Sequence, residues 1–129
     1  DMAVSFDMNI LIVDDRPTMV RILRHMLRDL QFSSIDDATD GRDALAKLER
    51  KDYGLVISDW TMKPMNGLDL LLAMRADEAW RATPFLMMTP ENKTENVIAA
   101  RQAGASGYIV KPFNAAMLKS KLVAILGDF

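Results

Sequence analysis

Cysteine is absent from this 129-residue chain. Its absence excludes disulfides, thiolate zinc sites and thiol catalysis. No apolar run approaches the ~20 residues that a bilayer-spanning helix needs. The N-terminus lacks the basic and apolar regions of a secretory signal. No basic block marks a nucleic-acid surface. No internal repeat, linker or low-complexity segment breaks the pattern. The expectation is a soluble, cytoplasmic protein with no membrane segment and no nucleic-acid partner.

What is present is a sizeable core. Half the residues are hydrophobic and the formal net charge is only −2. The length suits one domain over residues 1–129, with its core from about residue 6. Ten methionines are spread mostly at core spacings, where a flexible thioether fills gaps.

Short apolar runs alternate with helical periodicity. Strands are predicted over Asn9–Val13, Ser33–Ala38, Gly54–Ser58, Pro84–Thr89 and Gly107–Lys111. Pro17 suits a first helical turn. From Pro17 to Leu30, residues Met19, Val20, Leu23, Met26, Leu27 and Leu30 form one stripe. His25, the only histidine, falls on the opposite, arginine-rich side and reads as a solvated surface residue. Asp40-Gly41 marks a turn. Ala44, Leu45 and Leu48 give a short helix ending at Arg50. Leu68, Leu71, Leu72 and Arg75 lie on a third, ending before Pro84. Glu95–Ala103 makes a fourth, stopped by Gly104. Asn114 caps the last, with Met117, Leu118, Leu122, Ile125 and Leu126 inward. Five alternations predict an α/β fold: a doubly wound, five-stranded parallel sheet with helices on both faces.

The central strand ends in Asp59. The first ends in Asp14-Asp15, the fourth in Thr89 and the fifth in Lys111. In parallel sheets ligands bind at the carboxyl ends of the strands. Three carboxylates, a hydroxyl and an ammonium on one rim suit a divalent cation and a phosphoryl group. Mg²⁺ takes oxygen ligands and keeps waters, which fits such a set.

These segments resemble the receiver domain of bacterial response regulators, in particular the stand-alone chemotaxis type. The resemblance rests on Ile12-Val13-Asp14-Asp15, on Val56-Ile57-Ser58-Asp59-Trp60, and on Gln102-Ala103-Gly104-Ala105-Ser106-Gly107-Tyr108 with Val110-Lys111-Pro112-Phe113. Shorter matches are Ala38-Thr39-Asp40-Gly41 and Arg75-Ala76-Asp77. The resemblance, not the periodicity, implies strand order 2-1-3-4-5. It implies that Asp59 accepts a phosphoryl group from a histidine kinase. It implies Mg²⁺ held by Asp15, Asp59 and the backbone carbonyl of Thr61, with Asp14 acting through water. Lys111 would contact the phosphoryl oxygens, and Thr89 and Tyr108 would act as the switch pair. A cis Lys111-Pro112 bond is implied as well.

The implied role is a phosphorylation-controlled binding module, not an enzyme. The chain ends with its last helix, so output is expected through a partner such as a flagellar motor switch protein. That partner would dock on the fourth helix, fifth strand and fifth helix. A phosphate sink for another pathway is the alternative. An aspartyl-phosphate phosphatase or transferase is disfavoured: it needs a second acid two residues after the nucleophile, where Thr61 stands. A flavin site is disfavoured for want of a phosphate-cradling loop after the first strand.

Four positions depart from the family pattern. Lys63 stands where a proline is usual, with Pro64 following. Asn66 replaces a common acid before Gly67. Arg16 follows the acid pair and is long enough to reach the acidic rim. Pro90 follows Thr89 where a small residue is usual. In resembling receivers the N–H of that residue donates to a phosphoryl oxygen. Proline has none, so the donor is missing unless water or Asn92 replaces it.

Overall fold

The computed structural model describes residues 4–90 and 93–129. Five strands, β1 (Asn9–Val13), β2 (Ser34–Ala38), β3 (Leu55–Asp59), β4 (Phe85–Thr89) and β5 (Gly107–Val110), form one parallel sheet in the order β2-β1-β3-β4-β5. The helices are α1 (Pro17–Asp29), α2 (Gly41–Leu48), α3 (Gly67–Ala76), α4 (Thr94–Ala103) and α5 (Ala115–Leu126). Both the expected architecture and the expected strand order are present.

β1, β3 and β4 read as unbroken apolar runs because both sheet faces are covered. Ile10, Ile12, Leu55 and Ile57 point to one layer with Leu23 and Leu27 of α1 and Leu118 and Leu122 of α5. Leu11, Val13 and Val56 point to the other, with Ala44 and Leu48 of α2 and Leu70, Leu71 and Met74 of α3. Successive strand residues face opposite ways, so one run feeds two cores.

Local signals set most helix ends. Pro17 occupies the first turn of α1, and Arg16 before it is extended at φ −108°, ψ 110°. Asn66 accepts from the Asp69 N–H and Asn114 from the Met117 N–H, each at 2.8 Å. Asp40-Gly41 is not a free turn: Asp40 caps α2 by accepting from the Asp43 N–H at 3.0 Å, and Gly41 is its first residue. α2 then stops at Leu48, short of Arg50. Met117 does not face inward as its spacing suggests; it is 45% exposed, and Leu118 and Leu122 supply the buried stripe. His25 is a surface residue paired with Asp29.

β2 is an edge strand with a polar face. Its Asp36 is tied to the entry of β3: Tyr53 Oη donates to Asp36 Oδ2 at 2.6 Å and Lys51 Nζ lies 2.9 Å away. The Tyr53 hydroxyl and then Lys51 hold the Asp36 carboxyl below the usual carboxylate range. A depressed folded pKa contributes stability above the unfolded value of ~3.9, lost as pH falls through the folded pKa. Tyr53→Phe is therefore expected to cost about 1 kcal/mol near neutral pH. Denaturant melts of both proteins should show that gap shrinking below about pH 4.

Candidate functional site

The carboxyl ends of β1, β3, β4 and β5 lie side by side, with Val13 opposite Ser58, Asp59 opposite Met88 and Thr89 opposite Val110. Register therefore brings Asp14, Asp59, Thr89 and Lys111 to one rim. Asp14, Asp59 and Thr89 are buried, while Asp15 is exposed. One carboxylate oxygen from each of Asp14, Asp15 and Asp59 lies within 4.8 Å of the others.

Lys111 Nζ sits 2.9 Å from Asp59 Oδ1, with both side chains largely buried. The Trp60 N–H donates to the same oxygen at 2.9 Å. That N–H also reaches the Met88 carbonyl, at 3.0 Å. The Lys111 N–H donates to the Thr89 carbonyl at 2.7 Å, joining the ends of β4 and β5 next to the site. The Lys111-Pro112 bond is cis as expected, and Lys63-Pro64 is cis too.

Arg16 does reach the acidic rim. Its Nε and Nη2 donate to Asp14 Oδ1 and Oδ2, each at 3.3 Å, and Nη2 lies 3.6 Å from Asp59 Oδ2. Its backbone N–H donates to Asp14 Oδ1 at 2.9 Å. The hydrogen bond to Asp14 raises the Arg16 pKa above its ordinary value, outweighing burial.

A cleft of about 770 Å³ opens over these groups. Asp15, Arg16, Asp59, Thr61 and Lys111 line its polar part, and Met19, Ile22, Pro90 and Phe113 its apolar wall. Tyr108 lies apart from the carboxylates, half-buried on β5 with Lys121 Nζ 5.1 Å from its ring centre. Asn92, considered as a substitute donor, lies outside the described residues.

Reading the sequence missed what supports Asp59 from below. Gly67 opens α3 directly under it: a Cβ there would lie 2.1 Å from the Asp59 carbonyl oxygen. Gly67 N–H donates to the Trp60 carbonyl at 2.9 Å, and Ser58 Oγ to the Asp59 carbonyl at 2.9 Å. The Asn66-Gly67 pair after a strand end was the available signal; it is a helix start seated against the Asp59 backbone.

The donor set fits Mg²⁺. It is all oxygen, and among the described residues the cations in contact with three carboxylates are Lys111 and Arg16, leaving a net negative charge.

The family model for the response regulator receiver domain matches residues 10–123. The chain is 53% identical over 116 residues to chemotaxis protein CheY-3 of Vibrio cholerae, covering 90% of this chain and 89% of that one. It is 48% identical over 118 residues to chemotaxis protein CheY of Pseudomonas aeruginosa, covering 92% and 95%. Among solved structures, chemotaxis response regulator CheY4 of V. cholerae matches with a TM-score of 0.86 at 34% identity, over 93% of this chain and 99% of that one. The receiver domain of the P. aeruginosa sensor histidine kinase PA1611, solved with a magnesium ion in its active-site cleft, matches with a TM-score of 0.84 at 28% identity, over 95% and 99%.

Gly67→Ala is expected to destabilise the fold by at least about 1–3 kcal/mol, because backbone must move to admit the methyl group. Gly54→Ala meets only the Met8 side chain, at 3.3 Å, and should cost less. Thermal melts of the two variants provide the comparison.

Proposed function

This chain belongs to the response regulator receiver domain family, and on that premise we propose that Asp59 is its phosphoacceptor in a two-component system. A histidine kinase supplies the phosphoryl group, and the phosphorylated protein signals by binding a partner that controls the flagellar motor. The observation that carries the reading is Lys111 Nζ at 2.9 Å from Asp59 Oδ1, beside an acid pair within 4.8 Å. The relatedness to chemotaxis regulators supports the motor as the output.

The chemistry follows from what the residues can do. A carboxylate oxygen of Asp59 attacks phosphorus, an O–P bond forms, and the N–P bond of the phosphohistidine breaks. The imidazole leaves with the bonding pair. Lys111 then faces the transferred group and offsets its charge; positioning and electrostatics carry most of such a transfer. Asp15, Asp59 and the Thr61 carbonyl are the ligands we assign to Mg²⁺, with Asp14 acting through water; the ion when bound would neutralise charge on the phosphoryl oxygens. The cleft walls of Met19, Ile22 and Phe113 keep one side of the site apolar.

Thr89 and Tyr108 are the proposed relay. Thr89 ends β4 beside Asp59, and Tyr108 pairs with Met87 two residues upstream. Tyr108 also lines a groove of about 240 Å³ with Val97 and Ala100 of α4 and Lys121 and Ile125 of α5. That groove is the proposed partner face. A phosphoryl group shifts the protein between states only through contacts that differ between them, and Thr89 and Lys111 supply those contacts. Non-enzymatic signalling is the reading; Thr61 in place of a second acid two residues after Asp59 supports it.

Asp59→Asn preserves shape and removes the nucleophile. Incubated with Mg²⁺ and acetyl phosphate, it should lose the base-labile phosphate of the unmodified protein, and excess chelator should have the same effect on the latter. Labelling at the original level in either case overturns the assignment.

Pro90 lines the cleft with no N–H to offer. A charge-assisted hydrogen bond contributes about 1.5–3 kcal/mol. Pro90→Ala restores that donor and is expected to raise the gain in partner affinity on phosphorylation by about tenfold. Titration of a motor-switch peptide with and without a beryllofluoride mimic measures it. An unchanged gain counts against the missing donor, and a peptide that ignores the mimic favours the phosphate-sink reading.

A further inference from the structure

Arg16 lies on two of the three acids assigned to the metal site, Asp14 and Asp59. Its fork covers both oxygens of Asp14, and its Nη2 approaches Asp59 Oδ2 at 3.6 Å. The root of the side chain is fixed: Pro17 holds Arg16 extended at the β1–α1 corner, and the Arg16 N–H is bound to Asp14 Oδ1. The tip is not enclosed, since the side chain is 53% exposed. An anchored base and a free tip suit a cation that can leave the carboxylates without disturbing α1.

We propose that Arg16 is a built-in competitor for the metal site: its guanidinium neutralises Asp14 and Asp59 in the resting protein, and Mg²⁺ must displace it to bind. This rests on the metal reading above. A guanidinium fits a carboxylate through two parallel hydrogen bonds, which a lysine ammonium cannot reproduce. Mg²⁺ demands near-octahedral oxygen geometry and reaches no further than ~2.1 Å. With its fork on both oxygens of Asp14 and Nη2 3.6 Å from Asp59 Oδ2, the guanidinium takes up space and negative charge that an incoming divalent cation would use. The lysine side differs: Lys111 is on Asp59 Oδ1, away from Arg16, and has no contact with Asp14 among the described residues. Arg16 lines the same cleft as Asp15 and Asp59, on the path by which an ion would reach them.

Competition predicts a specific order of affinities. Calorimetric titration of Mg²⁺ alone, with no phosphodonor, reads it directly. Arg16→Ala should bind Mg²⁺ about 3–10-fold more tightly than the unmodified protein, given exposed ion pairs strengthened by two hydrogen bonds. Arg16→Lys should fall between, keeping charge but losing the fork. Arg21→Ala is the control for charge at a distance, since Arg21 lies near Asp14 and Asp15 without a salt bridge to either among the described residues. It should change the affinity less than twofold. A second readout guards against misfolding: Mg²⁺ should raise the melting temperature of Arg16→Ala more than that of the unmodified protein. Equal affinity of Arg16→Ala and the unmodified protein, or equal effects of Arg16→Ala and Arg21→Ala, overturns the proposal and leaves the metal reading intact. Absence of Mg²⁺ binding in every variant overturns both.

Discussion

The constraint on which this structure turns is the gathering of negative charge at one sheet edge. Oxygens of Asp14, Asp15 and Asp59 lie within 4.8 Å of one another. At an effective dielectric of about 20, each such pair of charges repels by roughly 3–4 kcal/mol. Asp14 has a fully buried side chain and Asp59 a nearly buried one, so water screens them poorly. The fold tolerates the cluster because Lys111 and Arg16 approach from two sides, and the Trp60 N–H adds a fixed dipole. The repulsion that remains is what draws a divalent cation to a receiver domain's acidic pocket.

The rest of the molecule holds these charges in place. The two apolar layers clamp β1, β3 and β4 on both faces, so the strand ends have little freedom. Gly67 lets α3 start against the Asp59 backbone, and Asn66 satisfies an N–H at that helix's start. Gly104, at φ 101°, ends α4 in a conformation that glycine adopts without strain. Its carbonyl accepts from Arg75 Nε at 2.9 Å, and Arg75 also donates to the Trp80 carbonyl. The α4–β5 turn is thereby tied to α3. The proposed output face, at the amino end of β5 beside Phe85, is thus joined to the site at the carboxyl ends along β4 and β5.

Much was legible along the chain because local periodicity and chain order survive folding. Apolar runs of three or four residues, each followed by charged or hydroxyl residues, marked the strand ends and hence Asp14, Asp59, Thr89 and Lys111. Asn114 was readable as a cap from its type and place. Asp40-Gly41 was not, since the same dipeptide serves a turn or a helix start, and only the Asp43 N–H within reach decides between them. Met117 has helical spacing, yet it stays exposed while Leu118 and Leu122 carry the buried stripe of α5.

The sequence by itself determined each strand's place to within a residue at its carboxyl end, that the sheet is parallel and covered on both faces, and that a carboxylate-rich rim faces a lysine. These follow from side-chain chemistry and spacing within single segments. Strand β3 runs one residue past its expected end, to Asp59, and β5 stops one short, at Val110. Only the tertiary structure decided how neighbouring acids differ, with Asp14 buried and Asp15 exposed just beyond the end of β1. It also decided that Lys111 lies at 2.9 Å from Asp59 although the two are far apart in the chain, that Arg16 folds back over the acids, and that Gly67 sits beneath the Asp59 backbone. Those facts depend on strand order and register, which are set by packing of distant segments and leave no mark in any one of them.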